Sequence, residues 1–134
     1  MKTSKTSKGE QAIVNLLRKG GLQFEREKEF SDLRGGRYRY DFYLPALGVL
    51  IEFDGQQHFK RVAYFQKTQR DFLKTKGHDR QKNSYALAHG LSLYRIPYWE
   101  LDNLKSCRDL FKPEFRVVTI WHNDDLWRKY ENRI

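Results

Sequence analysis

Three carboxylates lie close together in the stretch RYDFYLPALGVLIEFDGQQHF, which runs from residue 39 to residue 59 of a chain with a formal net charge of +9. They are Asp41, Glu52 and Asp54. Their neighbours are aliphatic and aromatic, and like charges in such a place repel unless something positive lies between them. Carboxylate oxygens suit Mg²⁺ or Mn²⁺, and Mg²⁺ prefers one or two carboxylates completed by water and phosphate. The residue types therefore predict a metal site formed by these three side chains.

A β-hairpin would bring these carboxylates together. Two segments rich in aromatic and β-branched residues, RYRYDFYL and GVLIEFD, are separated by a linker, Pro45–Gly48, that is short enough for a hairpin. If Leu44 lies opposite Val49, Asp41 lies opposite Glu52, with Cβ atoms about 4.5–5.5 Å apart. The same register predicts an apolar face made of Tyr40, Phe42, Leu44, Val49, Ile51 and Phe53, and an opposite face carrying Asp41, Tyr43, Glu52 and Asp54. The alternative is a simply solvated outer face, with Lys or Arg neighbours balancing the acids.

Two helical segments offer further polar side chains for the site. Glu10 follows Ser7 at the spacing of a capping box, but it also shares a helix face with apolar residues, so it is expected either to cap the helix or to point toward the sheet. Asp79 and Lys82 lie three residues apart on a later helix. Lys82 would place a positive charge near a reacting phosphate or water, and the alternative for this pair is a surface ion pair.

The charge balance indicates a polyanionic partner. The chain has 134 residues, a sequence pI of about 9.7 and 32% charged residues, and a domain this basic is attracted to nucleic acid. The alternative is a well-solvated cationic surface. The one cysteine, Cys107, excludes an internal disulfide framework and fits a reducing, cytoplasmic location. The apolar stretches are too short to cross a bilayer, so no membrane association is expected.

Residues beside the hairpin add a candidate base and a cationic rim. His58 is a candidate general base, because histidine titrates near neutral pH, and Gln57 adjoins it. Five basic residues flank the hairpin and are predicted to hold a DNA backbone: Arg34, Arg37, Arg39, Lys60 and Arg61. The remaining histidines show no zinc-ligand spacing with Cys107.

An α/β fold with a mixed central β-sheet flanked by helices would position these residues. We expect a helix from near Ser7 to Gly20-Gly21, an edge strand in Leu22–Phe30, and then the hairpin. Helical segments without fixed bounds are expected in FKRVAYFQKTQRDFLKTKG. A firmer helix in DRQKNSYALAHG, with Asp79 near its N-terminus, would return the chain to a parallel strand, LSLYRIP. A short helix in YWELDNLKSCRDLF, a strand in FRVVTIW and a last helical turn in DDLWRKY follow. The predicted organisation is a disordered basic N-terminus at 1–7, a core at 8–106, and a C-terminal extension at 107–134 that contacts DNA or a second copy.

The hairpin stretch YDFYLPALGVLIEFDGQQHF resembles the D…ExK core of the PD-(D/E)XK nuclease superfamily, and GEQAIVNLL and HDRQKNSYALAHGLSLYRIPYWE add to the likeness. Within it, the chain is most similar to small phage-associated homing endonucleases with an EDxHD-type site, which are similar to very-short-patch-repair endonucleases. The resemblance spans roughly residues 8–100 and implies a restriction-endonuclease-like αβββαβ core that hydrolyses DNA with Mg²⁺.

The resemblance also implies roles for individual residues. It maps the aspartate of the motif onto Asp41 and the second acid onto Glu52. Asp54 stands where the motif has its lysine, and Lys82 would substitute for that lysine. An EDxHD pattern would further recruit three residues to the catalytic set: Glu10, His58 and Asp79.

The expected activity is metal-dependent hydrolysis of double-stranded DNA by a phage-type homing endonuclease that acts as a homo-oligomer in a bacterial or phage-infected cell. One alternative is a very-short-patch-repair-like nicking nuclease. Another is a non-catalytic nucleic-acid-binding protein on the same fold. A third is a partner-binding domain whose tail, FRVVTIWHNDDLW, forms an oligomer interface.

Overall fold

The computed structural model of the chain describes residues 7–36, 38–55 and 69–118. The helices and strands are, in chain order, α1 (Lys8–Lys19), β1 (Glu25–Glu29), β2 (Arg39–Leu44), β3 (Val49–Asp54), α2 (Gln69–Ala88), β4 (Ser92–Pro97) and β5 (Arg116–Val118). Short 3₁₀ turns lie at Arg34–Gly36, Tyr98–Asn103, Cys107–Phe111 and Pro113–Phe115. The strands form a five-stranded sheet in the order β1-β2-β3-β4-β5.

The sheet is mixed. Strands β1, β2 and β3 form an antiparallel meander, and β5 pairs antiparallel with β4. Strand β4 lies parallel to β3, because the chain crosses over through α2 between them. The predicted α/β fold, with a mixed sheet flanked by helices, is confirmed.

Helix α1 begins and ends where its sequence predicts. The Ser7 hydroxyl accepts a hydrogen bond from the Glu10 backbone N–H at 3.1 Å, which satisfies one of the unpaired donors of the first turn. Gly20 caps the other end. The apolar stripe of Ile13, Val14 and Leu17 is buried against the sheet, so burial of this face holds the helix on the sheet beside the hairpin.

The hairpin has the predicted register. Phe42 pairs with Ile51, and Leu44 pairs with Val49. Gly48 completes the turn at a positive φ of 64°, a conformation that glycine adopts without steric strain. The apolar pattern was sufficient to fix this pairing, since a slip of one residue would turn every buried side chain to the opposite face.

The side-chain alternation of β2 breaks at Asp41, and this corrects the predicted apolar face. Phe42 packs with α1, whereas Tyr40 packs on the opposite side of the sheet, in the cluster that contains Tyr85 of α2. On the neighbouring strand Glu27 has a positive φ of 49°, and Arg26 and Lys28 on either side of it lie near rings of opposite clusters. The two strands change faces together at this level, so Tyr40 leaves the apolar face to which strict alternation assigned it.

Two hydrophobic layers cover the sheet. One layer lies under α1 and includes Phe42, Ile51 and Ile96, and the other lies under α2 and includes Leu50, Tyr85 and Leu93. The acidic side of the hairpin faces α2 rather than water: Glu52 is 3% exposed and Asp54 is 5% exposed. The solvation expected in the alternative for the hairpin is therefore wrong, whereas the Lys and Arg neighbours that it also expected are present as Lys82 and Arg95.

Helix α2 is longer than its sequence predicts. It runs from Gln69 to Ala88, so Asp79 lies in its middle and not near its N-terminus. The C-terminal end matches the prediction, because Gly90 adopts a φ of 69° and Leu91 donates to the Ala86 carbonyl.

The segment after β4 also differs from the prediction. Two 3₁₀ turns, at Tyr98–Asn103 and Cys107–Phe111, replace the single short helix. Residues 107–118, which begin the predicted C-terminal extension, place Cys107, Leu110 and Phe115 in the layer under α1. The predicted strand FRVVTIW is seen as β5 as far as Val118, and DDLWRKY lies outside the described residues. In the ranges that the structure describes, no helix is long and apolar enough to cross a membrane.

Candidate active site

Asp41 and Glu52 join β2 to β3 through their side chains. The Asp41 backbone N–H donates to Glu52 Oε2 at 2.7 Å, and the Phe53 backbone N–H donates to Asp41 Oδ2 at 2.8 Å. Beyond the Phe42–Ile51 pair, carboxylates thus stand where a regular ladder would use carbonyl oxygens. Each acid is held by the backbone of the opposite strand, so the two carboxylates are fixed beside one another as the sequence predicted.

Lys82 approaches this pair from α2. Its Nζ lies 2.6 Å from Glu52 Oε1, and both side chains are largely buried, with exposures of 15% and 4%. Tyr40 supports the lysine, because its hydroxyl donates to the Lys82 carbonyl at 2.7 Å and its ring lies 5.4 Å from Nζ. Lys82 is therefore the counter-ion of Glu52. The described contacts do not include the surface ion pair with Asp79 that was the alternative.

Glu10 reaches the site from α1. Its Oε1 binds Arg26 of β1 at 2.9 Å, so the side chain points toward the sheet while its backbone is capped by Ser7. Gly9 makes this approach possible: a Cβ there would lie 2.2 Å from the Phe53 ring. The negative charge of Glu10 is close enough to contribute to the raised pKa of Asp41.

The pKa of Asp41 is raised well above the ordinary value of an aspartate. Removal from water is the largest cause, and repulsion by Glu52 follows, whereas the hydrogen bond from Phe53 N–H acts in the opposite direction. Lys82 also lowers this pKa, but its effect is smaller than those of burial, Glu52 and the Phe53 N–H. Among the described residues no cation contacts Asp41 directly, and Lys82 offsets its negative charge only in part.

Asp54 belongs to a neighbouring constellation centred on Arg95 of β4. Arg95 Nη1 lies 3.0 Å from Asp54 Oδ1 and 3.6 Å from Asp79 Oδ1, and its Nε donates to Asn83 Oδ1 at 3.0 Å. The predicted grouping of Asp54 with Asp41 and Glu52 is not what the structure shows, because an arginine already engages Asp54. In the part of the chain that is described, no three Asp, Glu, His or Cys side chains form a group that could hold a metal ion.

A two-carboxylate site remains compatible with this geometry. Mg²⁺ takes one or two protein carboxylates and completes its shell with water and substrate phosphate. Asp41 Oδ1 has no hydrogen-bond partner among the described residues, and Glu52 lies directly across the strand pair from it. A divalent cation together with one phosphodiester carries one net positive charge, which would balance the single negative charge of the Asp41 carboxylate.

The remaining predicted residues divide into two groups. Arg39 forms ion pairs with Glu27 at 3.6 Å and Glu29 at 3.1 Å, and the Arg34 guanidinium lies 6.0 Å from the Tyr38 ring centroid. Arg39 is therefore engaged with β1 in this structure. The other candidates lie outside the described residues: Arg37, Gln57, His58, Lys60 and Arg61.

Two residues of the site have no counterpart in the sequence predictions. Arg95 neutralises Asp54, and Arg26 neutralises Glu10. The sequence contains a signal for Arg95, because it is the only charged residue in the apolar strand SLYRIP. Strand β4 lies in parallel register with β3, which ends in acidic residues. Arg26 left none, because its strand, EREKE, is charged throughout.

The chain matches no family model, no curated protein and no solved structure. The residues of the site, rather than a relative, therefore supply the basis for a function.

Proposed function

We propose that the protein is a metal-dependent endonuclease that hydrolyses phosphodiester bonds of double-stranded DNA at the Asp41–Glu52 pair. The observation that supports this most directly is a fixed pair of carboxylates beside a buried lysine. Mg²⁺, or Mn²⁺ in its place, would be held by Asp41 and Glu52, and would supply Lewis-acid polarisation of the phosphate and the attacking water.

Three further residues would perform the rest of the reaction. Lys82 donates hydrogen bonds only, and its position at Glu52 Oε1 suits stabilisation of negative charge that develops on the phosphate. Glu10, on the α1 side, lies close enough to Asp41 to influence its charge and is restrained by Arg26. His58 stays the candidate general base for the attacking water.

The overall charge of +9 supports DNA as the substrate. Polyanion binding draws on cationic surface, and a basic domain attracts nucleic acid over long range. A domain of this size buries about 600–1,000 Å² on DNA, so recognition of a long target favours a dimer. Within this class, we favour a homing endonuclease, and a single-strand break as product would favour a nicking enzyme instead.

Incubation of supercoiled plasmid with protein and Mg²⁺ tests the proposal. Wild-type protein should convert the plasmid to open-circular or linear forms, whereas Asp41→Asn and Glu52→Gln should reduce the rate by about a hundredfold or more. Asp102→Asn is the matched control, because Asp102 is exposed and distant from these contacts in sequence. Equal cutting by wild type and by the two site variants would refute the assignment.

One observation favours a second candidate function, a nucleic-acid-binding protein without catalysis. Asp41 and Glu52 each accept a hydrogen bond from the opposite strand, so both have a structural role that needs no metal. In that case DNA binding would weaken with salt, would not respond to Mg²⁺, and no plasmid would be cut.

A further inference from the structure

Arg95 connects β4, β3 and α2 at the site. It lies opposite Glu52 in the parallel register of β3 and β4, and its side chain is 10% exposed. Its guanidinium binds Asp54 on β3 through Nη1. On α2 it binds the Asn83 side chain through Nε at 3.0 Å and the Asp79 carbonyl through Nη2 at 3.3 Å. One buried side chain thus fastens the helix to the sheet.

The two attachments on α2 lie on either side of Lys82. Asp79 precedes Lys82 by three residues, and Asn83 follows it directly. On a helix these spacings place residue 79 one turn below residue 82, so contacts at 79 and 83 fix both the height and the rotation of that turn. The lysine ammonium can then meet Glu52 Oε1, which also lies 3.9 Å from Arg95 Nη1.

Arg95 also supplies the cation of a second buried acid, Asp54. Asp54 lies two residues after Glu52 on the same strand and is almost as deeply buried. A buried carboxylate that loses its cation destabilises the fold, because an unpaired charge in the interior is costly. The pKa of Arg95 is raised, since attraction by Asp54, Glu52 and Asp79 outweighs the loss of water, so the guanidinium stays charged.

We infer that Arg95 is the positioning residue of this centre: it holds α2 in register with β3, so that Lys82 remains on Glu52. This inference rests on the proposed nuclease function for its catalytic consequence. The placement of Lys82 itself does not depend on any activity.

The test uses the full-length chain and the double variant Asp54→Asn/Arg95→Gln. Removing both charges avoids an unpaired carboxylate at Asp54, which holds the shortest ion pair with Arg95, so the double variant should fold even where Arg95→Gln alone does not. Arg18→Gln, at an exposed arginine on α1, is the matched control. Thermal unfolding establishes that each variant is folded before any other measurement.

Lysine acetylation followed by mass spectrometry reads the position of Lys82 without reference to catalysis. In the wild type Lys82 should react about tenfold more slowly than exposed Lys105, because its ammonium is buried and ion-paired. In the double variant the reaction at Lys82 should accelerate several-fold while Lys105 is unchanged. A folded double variant in which Lys82 stays protected would overturn the inference.

Plasmid cleavage separates positioning from general support of the fold. The folded double variant should lose about tenfold or more in kcat while KM for DNA changes little, because neither Asp54 nor Arg95 is among the residues proposed to contact DNA. Full activity together with an exposed Lys82 would overturn the catalytic role of the positioning. A wild-type protein that cuts no DNA would refute the proposed function alone, since the acetylation result would still decide where Arg95 holds Lys82.

Discussion

Replacing Asp41 by asparagine should stabilise the metal-free protein at neutral pH while removing its activity. The pKa of Asp41 is raised by loss of water and by Glu52, so the folded protein holds a proton there more tightly than the unfolded chain does. The stabilisation from this proton is complete below the ordinary aspartate pKa. It is lost as pH rises through the raised value, above which the wild type carries the full repulsion.

Three contributions to the free energy of unfolding determine the size of the effect. The introduced amide keeps an oxygen for the Phe53 N–H, now 2.8 Å from Asp41 Oδ2, and loses about 1 kcal/mol because a neutral acceptor replaces a charged one. Removing the repulsion between the opposed carboxylates of Asp41 and Glu52 stabilises the fold by about 0.2–1 kcal/mol. Avoiding the burial of a charged carboxylate stabilises it by several kcal/mol more. The two gains exceed the loss, so the variant should be more stable by at least about 1 kcal/mol, which corresponds to roughly 3 °C or more in Tm for a chain of this length.

Urea denaturation over a series of pH values, in the presence of a chelator, measures this directly. The free energy of unfolding of Asp41→Asn should exceed that of the wild type at neutral pH, and the difference should vanish in acid, where Asp41 is protonated. Added Mg²⁺ should stabilise the wild type, because a ligand that binds only the folded state shifts the equilibrium, and should leave the variant unchanged. Asp102→Asn should show neither effect.

Two results would refute the reasoning. The first is a variant that is less stable than the wild type at every pH, which would mean that the hydrogen bond to Phe53 outweighs the repulsion. The second is a difference in unfolding free energy that does not change with pH, because a raised pKa at Asp41 requires that it change.

Three further predictions follow from the same contacts. Mg²⁺ affinity measured by calorimetry should fall as pH is lowered below neutrality, since Asp41 must release its proton before its carboxylate binds a cation; affinity independent of pH would contradict this. Gly9→Ala should destabilise the protein by about 1–3 kcal/mol in chemical denaturation, because the added methyl meets the Phe53 ring at 2.2 Å; a gain in stability would show that the ring moves aside freely. Cys107 should resist iodoacetamide in the folded protein and react on unfolding, because burial raises its pKa to about 11; rapid labelling of folded protein would contradict that burial.

The hairpin and α1 could be predicted because local chemistry decides them. Alternating apolar residues fix the pairing of Leu44 with Val49, and Ser7 supplies the cap that starts the helix. Both signals act within a few residues of the chain. The parallel pairing of β4 with β3 could also be predicted, because a strand, a helix and a strand in sequence favour a right-handed crossover between parallel strands.

The change of face at Asp41 could not be predicted from the chain. It accompanies a positive φ at Glu27, and the strand EREKE contains no glycine or asparagine to mark such a residue. Strict alternation therefore assigned Tyr40 to the layer under α1, although its hydroxyl binds the Lys82 carbonyl on the other side.

The extent of α2 was hidden for a different reason. Its N-terminal half, QRDFLKTKGH, is mostly polar and includes Gly77, so it lacks a continuous apolar stripe. The described side chains that attach the helix come from its second half, where Tyr85 and Ala86 are buried and Asn83 meets Arg95. Contacts made across the sheet, rather than helix propensity, position Asp79 and Lys82.

Among the described residues, three acids of the site each have a cation in contact, whereas Asp41 has none. Arg26 comes from β1 and takes Glu10, Lys82 comes from α2 and takes Glu52, and Arg95 comes from β4 and takes Asp54. Each cation is carried by a different element, so all three pairs form only when the sheet and both helices are in place. A fourth cation at Asp41 would stabilise the fold further, since the raised pKa shows that this carboxylate is held at a cost. The part of the chain that is described supplies no such cation, and a divalent ion together with a phosphodiester would balance the single negative charge of Asp41.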